Sequence, residues 1–155
     1  MIHWLINVGY MISAFACMEG VAWLTHRYIM HGLCWSLHRD HHAKDHDGVL
    51  EQNDFFFLVF ALPGIACLLT GANGGPEFFL WTGIGITLYG SCYFLVHDLF
   101  IHQRFKFWRN SDNRYLRALR RAHKMHHKHT GKTGGECFGM LVFPRKFFNE
   151  GTGKL

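Results

Sequence analysis

Lysine and arginine are missing from two long parts of this chain. None precedes Arg27, and none lies between Lys44 and Arg104. Charged residues make up only 17% of the sequence, against about a quarter in soluble globular domains. The two stretches without basic residues are apolar, as a membrane protein requires. The five cysteines, at 17, 34, 67, 92 and 137, form no C-x-x-C pair and sit mostly in apolar runs. They read as small apolar fillers with free thiols, and disulfides are not suggested. No dinucleotide fingerprint occurs, and nothing points to nucleic acid. Gly131-Lys132-Thr133 has the end of a phosphate loop, but the earlier glycine of G-x4-G-K-T is replaced by His126, which excludes nucleotide binding there.

Histidine, by contrast, is abundant. The stretch from Thr25 to His42 contains H-x4-H at His26 and His31, then H-x2-H-H at His38, His41 and His42. The same compound motif returns at His97 and His102, then at His123, His126 and His127. Two copies therefore hold ten of the thirteen histidines. A neutral imidazole offers a nitrogen lone pair, which makes histidine the commonest metal-binding side chain. Residues three and four apart share one helix face, so each H-x2-H-H converges. The H-x4-H pairs behave differently. Five residues turn a regular helix by about 500°, which leaves the rings roughly 140° apart. Each pair is therefore expected to straddle a helix end or a locally widened turn. Gly32 suits a helix stop.

Residues 2–25 form an apolar run long enough to cross a bilayer. The positively charged start of a signal peptide is missing, so the run is expected to be a retained anchor. Glu19 lies near its inner end. It is a candidate to accept a hydrogen bond from a ligand histidine and fix its tautomer, or else to make an interhelical polar contact. Asp54 is placed to cap the next helix. Residues 55–72 form a second membrane helix, with a kink expected at Pro63-Gly64. Pro76 and Glu77 suit the first turn of a third, residues 78–101. Asp98 beside His97 either orients a ligand ring or pairs with an arginine. Residues 103–112 are a basic, aromatic linker. Ser111 or Asp112 is placed to cap a helix over about 113–129, which Gly131 stops. Residues 137–148 are apolar but too short to span, so they are expected at the membrane surface or over the site.

Every lysine and arginine falls within 27–44 or 104–154. The positive-inside rule puts both segments on the cytoplasmic side of the inner membrane. All four histidine groups then end on one side and can meet. His3 is left at the opposite face, and His46 and His129 are expected to face solvent. The predicted fold is an all-α membrane protein of one domain, residues 1–155. Three to four transmembrane helices carry a histidine-rich helical cap that holds a dimetal site.

Ten imidazoles exceed the needs of one ion, so two ions sharing the set is the economical reading. Ligand type alone admits iron, zinc, copper or nickel. A metal cluster open to lipid suits a membrane-dissolved apolar substrate. Activating O2 against an unreactive C–H bond needs a redox metal such as iron. The histidine pattern resembles the fatty acid hydroxylase superfamily of membrane di-iron oxygenases. Within it, His26-Arg27-Tyr28-Ile29-Met30-His31-Gly32, Glu51-Gln52-Asn53-Asp54, His97 to Arg104 and Ala122 to His127 are similar to bacterial β-carotene 3-hydroxylases. The resemblance covers about residues 15–145. It implies two irons bound by the ten motif histidines, with zinc as a possible substitute. It also implies hydroxylation of β-ionone rings at carbon 3 with O2, from β-carotene to cryptoxanthin and zeaxanthin. The two electrons must come from a separate carrier such as a ferredoxin, steered by Arg114, Arg117, Arg120, Arg121, Lys124 and Lys128. Other members of the superfamily act on fatty acyl, sterol or carotenoid-ketone substrates. A membrane protein that merely binds metal is the non-enzyme alternative. A transporter would place its ligands near mid-membrane, whereas these crowd at one end.

Alanine at His41 or His126 is expected to abolish activity and lower the metal content of the purified protein. Alanine at His3 should leave both unchanged.

Overall fold

The computed structural model describes residues 2–44, 46–105, 107–108 and 110–149. The described residues are helical and contain no strand. Helix α1 (Ile2–Leu24) continues without a break into a π-helical segment, Thr25–Leu33, and is followed by the short α2 (Trp35–His42). A single 3₁₀ turn, Gln52–Asp54, leads into α3 (Phe55–Ala72). Helix α4 (Glu77–Tyr93) again runs on as a π-helical segment, Phe94–Ile101. Helices α5 (Arg114–His127) and α6 (Lys146–Asn149) complete the fold. The linker residues Lys106 and Arg109 lie outside the described residues, as does the end of the chain from residue 150.

Three helical rods are long and apolar enough to cross a membrane: Ile2–Leu33, Gln52–Ala72 and Glu77–Ile101. The α4 rod lies between the other two. Leu5, Ile12, Leu58, Leu62, Leu69, Leu88 and Leu95 all face outward. Such a surface is untenable in water and suited to lipid. The chain is therefore a membrane protein.

Contact between the rods depends on small residues, because no hydrophobic drive joins helices already in lipid. A Cβ at Gly64 would stand 3.0 Å from Ile86, and one at Gly83 would stand 2.8 Å from the Leu68 nitrogen. At Gly85 an added Cβ would collide with the Met11 carbonyl and stand 2.9 Å from Ala14. Helix α3 runs unbroken through Pro63, so Gly64 serves close packing rather than an interruption. At the far end Asn7 donates to Glu77 across 2.7 Å.

The opposite end carries the cap, and its helix starts differ from expectation. The α5 N-cap is Asn113, whose Oδ1 accepts from the Tyr115 and Leu116 amides at 2.9 and 3.2 Å. Ser111 instead accepts from the Asn113 amide. Asp54 does not cap α3 with its side chain. It accepts from the Glu51 amide at 2.9 Å and from Arg104 at 2.7 Å. Residues 137–148 lie across the cap as a strap. Met140 joins Val96, Phe100, Ile101 and Leu119 in one buried cluster, and Phe147 packs on Ala118 and Ala122 in another.

Gly85→Ala is expected to destabilise the bundle by about 1–3 kcal/mol, because the Met11 backbone cannot yield. Gly90→Ala, with nothing within 4 Å, should be neutral or stabilising by up to about 1 kcal/mol. Thermal unfolding midpoints in detergent separate the two.

Candidate metal centre

The two π-helical segments solve the spacing problem set by H-x4-H. Their hydrogen bonds span five residues, so residues five apart return to one face. The Cys34 amide donates to the Ile29 carbonyl at 2.7 Å, and the His102 amide donates to the His97 carbonyl at 2.9 Å. His26 and His31 therefore point the same way, and so do His97 and His102. Helices α2 and α5 then cross beneath with their H-x2-H-H faces inward. All ten motif histidines meet at one end of the bundle.

They divide into two groups. The ligand atoms of His26, His31, His38, His42 and His126 all lie within 4.8 Å of one another, as do those of His41, His97, His102 and His123. His127 adjoins the second group, its Nε2 being 3.0 Å from that of His123. The rings of His42 and His127, one from each group, stack at 4.4 Å. The partition does not follow the repeats. Each repeat keeps four histidines in its own group and lends the middle member of H-x2-H-H to the other. His126 lies 3.1 Å from His42, and His41 lies 3.1 Å from His97, each measured between Nε2 atoms.

Hydrogen bonding fixes the tautomers. In the first group Nδ1 of His26 donates to the Phe138 carbonyl at 2.9 Å, and that of His31 to the Lys132 carbonyl at 3.2 Å. His38 donates to Asn53 Oδ1 at 2.6 Å, and His126 to the Glu136 carbonyl at 2.8 Å. A neutral ring with its proton on Nδ1 has only a lone pair on Nε2. Yet the Nε2 atoms of His26 and His38 stand 3.2 Å apart, and so do those of His31 and His126. Two lone pairs cannot hydrogen-bond. Such contacts are repulsive unless a cation lies among them. The donor set therefore fits metal ions, which need neutral imidazoles held by their second nitrogen. At a nitrogen–metal distance of about 2.1 Å, adjacent donors stand about 3.0 Å apart in an octahedron and about 3.4 Å apart in a tetrahedron. The spacings here, from 2.9 Å for His102–His123 to 3.2 Å for His31–His126, suit donors that share one ion.

The fatty acid hydroxylase family matches residues 11–148. The chain belongs to that family. It is 43% identical to a β-carotene hydroxylase of Pseudescherichia vulneris, over 92% of this chain and 79% of that one. Identity is 40% to a β-carotene hydroxylase of Pantoea ananas, over 91% and 79%. A chloroplastic β-carotene 3-hydroxylase 1 of Arabidopsis thaliana is 36% identical over 90% of this chain and 45% of its own length. No solved structure matches.

Around the second group this hydroxylase uses carboxylates where the first uses carbonyls. Glu51 accepts from His41 Nδ1 at 2.7 Å. Asp98 stands 3.4 Å from His97 Nδ1 and 3.1 Å from Arg104 Nε, so it sits between the ring and the arginine. Arg104 also binds Glu51 at 2.6 Å and Asp54 at 2.7 Å. Glu51, Asn53 and Arg104 are supporting residues that motif counting overlooks. The run Glu51 to Asp54, directly ahead of the apolar run from Phe55, was the available signal. Glu19 takes the second of its two expected roles, an interhelical polar contact, and adds backbone partners. Its carboxylate accepts from the Tyr89 hydroxyl at 2.7 Å and from the amides of Met140, Leu141 and Val142. Those partners are not ligand rings. The rest of the histidines stand apart: His3 and His129 are exposed, and His46 lies 3.7 Å from Asp40. All five cysteines are free thiols.

Burial sets the charge state of the cap. Desolvation pushes His38, His42 and His126 down to about 3 and His102 to about 4, with neighbouring rings adding to the shift for the first three. His41 and His123 are lowered for the same reason. Below about 6.5 the unfolded chain takes up protons that the folded one refuses. Stability of chelator-treated protein is thus expected to fall as pH drops from about 6.5 towards 4. Unfolding midpoints at pH 7.5 and 5.5 with a chelator present check the sign.

Proposed function

We propose that this protein is a membrane carotenoid hydroxylase that adds a hydroxyl at carbon 3 of β-ionone rings. It would take β-carotene to cryptoxanthin and then to zeaxanthin. The observation that carries the reading is the pair of buried, mutually facing imidazole groups at one end of three apolar rods. Similarity over most of the chain to proteins named β-carotene hydroxylases supplies the substrate class.

In this reading residues 1–155 work as one domain. His26, His31, His38, His42 and His126 hold one iron, and His41, His97, His102, His123 and His127 hold the other. Iron supplies the activation of O2 that an unreactive ring C–H bond demands, and zinc can replace it during overexpression. The protein does the rest. Nδ1 anchors at Asn53, Glu51 and the Phe138, Lys132 and Glu136 carbonyls keep Nε2 of His38, His41, His26, His31 and His126 aimed inward. The strap and α5 keep bulk water away from the buried rings. The apolar rods let a lipid-dissolved polyene reach the cap from the bilayer.

Two electrons per turnover come from a separate carrier, a ferredoxin with its reductase or a similar protein. Arg114, Lys124 and Lys128 are exposed on α5 and would meet an acidic carrier. Arg120 leaves that set: it is buried over the Phe100 ring and donates to the Phe100 carbonyl. Basic segments flank the cap, and by the positive-inside rule this supports a position on the cytoplasmic side of the inner membrane.

Expression in cells that accumulate β-carotene tests the activity. Zeaxanthin is the expected product; a ketone alone, or untouched β-carotene, overturns the reading. Metal analysis of the purified protein should find about two irons per chain.

A further inference from the structure

Glu19 sits on the face of α1 that also presents Trp23 and His26, one and two turns further on. Its carboxylate enters a concave row of successive backbone N–H groups. Oε1 accepts from Met140 and Leu141 at 2.9 Å and from Val142 at 2.8 Å. Oε2 accepts from Leu141 at 3.0 Å and from Tyr89 at 2.7 Å. Successive N–H groups of this kind form an anion-binding nest. Gly139 makes room for it, since a Cβ there would stand 2.7 Å from Glu19 Oε1 and 2.7 Å from the Val142 carbonyl. The latch joins residues 121 to 123 positions apart, tying the first helix to the strap.

The start of the strap and the residue before it supply two of the four carbonyls that anchor the first histidine group. Phe138 accepts from His26 and Glu136 accepts from His126. The ring of Phe138 also lies under Arg27 and edge-on to Trp23, from the same part of the first rod. In the second group the anchor of His41 is Glu51, which comes from elsewhere in the chain. Met140 packs on Val96, Phe100 and Ile101 beside His97, so the strap touches the second group through apolar packing, whereas it reaches the rings of the first group by hydrogen bonds.

We infer that Glu19 is a positioning residue for one of the two metal sites: by latching the strap it aims His26 and His126, and so sets the affinity of the first histidine group alone. This rests on the dimetal reading. It explains an intramembrane carboxylate that touches no ligand, and it assigns Gly139 a part in the same device.

The test uses the full chain in detergent, loaded anaerobically with iron(II) and titrated with a chelator of graded strength. Wild type is expected to release two ions per chain. Glu19→Ala should hold one ion as wild type does and bind the other at least about tenfold more weakly, a loss usual when the support of a ligand histidine is removed. Glu19→Gln keeps an oxygen for the three amides and should restore the second ion largely. Gly139→Ala leaves the carboxylate but disturbs the nest, and should reproduce Glu19→Ala; it also stands in should Glu19→Ala fail to fold. Parallel weakening of both ions, unchanged binding of both, or no rescue by glutamine overturns the inference while leaving the proposed function standing. A wild type that never takes up two ions overturns the proposed function itself.

Discussion

Uncharged imidazoles buried with their lone pairs facing one another are the constraint on which this structure depends. Left to itself, such an arrangement is repulsive, and protonation would relieve it by bringing the rings into water. The fold prevents that escape in two ways. It desolvates the rings, which disfavours the charged form. It also occupies Nδ1 of His26, His31, His38, His41 and His126 with acceptors, so that the proton cannot migrate to the inward nitrogen. What remains is a set of donors with a strong appetite for cations.

Placing such a cluster under a membrane bundle requires that the bundle end abruptly in the right orientation. A regular helix would splay each H-x4-H pair across its circumference. The extra residue accommodated in each π-helical segment removes that error at Thr25–Leu33 and again at Phe94–Ile101. π-Helical turns are rare and recur at functional sites. Here their role is geometric: they convert a spacing of five into a shared direction. The close contact of Gly85 with Met11 and Ala14 does complementary work by bringing the first rod and α4 near enough for both segments to bear on one pocket.

Much of this was legible in the amino-acid order. The gaps in basic residues mark the spans, and the duplicated histidine spacing marks both the cap and the need for a widened turn. Local hydrogen-bond choices were less legible. Asn113 displaced Ser111 and Asp112 as a cap because its Oδ1 reaches two amides. Asp54 caps one turn earlier than expected, accepting from the Glu51 amide, and gives its other oxygen to Arg104, 50 residues away. Carbonyl anchors such as Phe138 and Glu136 leave no trace in side-chain identity, so nothing in the motifs could announce them. Glu19 was conspicuous as a carboxylate in an apolar run, but its partners are the Tyr89 hydroxyl, 70 residues away, and backbone amides more than a hundred residues away.

The exchange of middle histidines between repeats has a consequence for how the protein comes to be made. Neither five-donor set is complete until α5 has been synthesised, because the first group waits for His126 and the second draws on His97, His102 and His123 as well as His41. A nascent chain that has made only its first rod and α2 offers four donors of the first group and no enclosure. A site assembled in this way can close only after all three rods are inserted, and any ion it takes would clasp together halves of the polypeptide that reach the bilayer at different times.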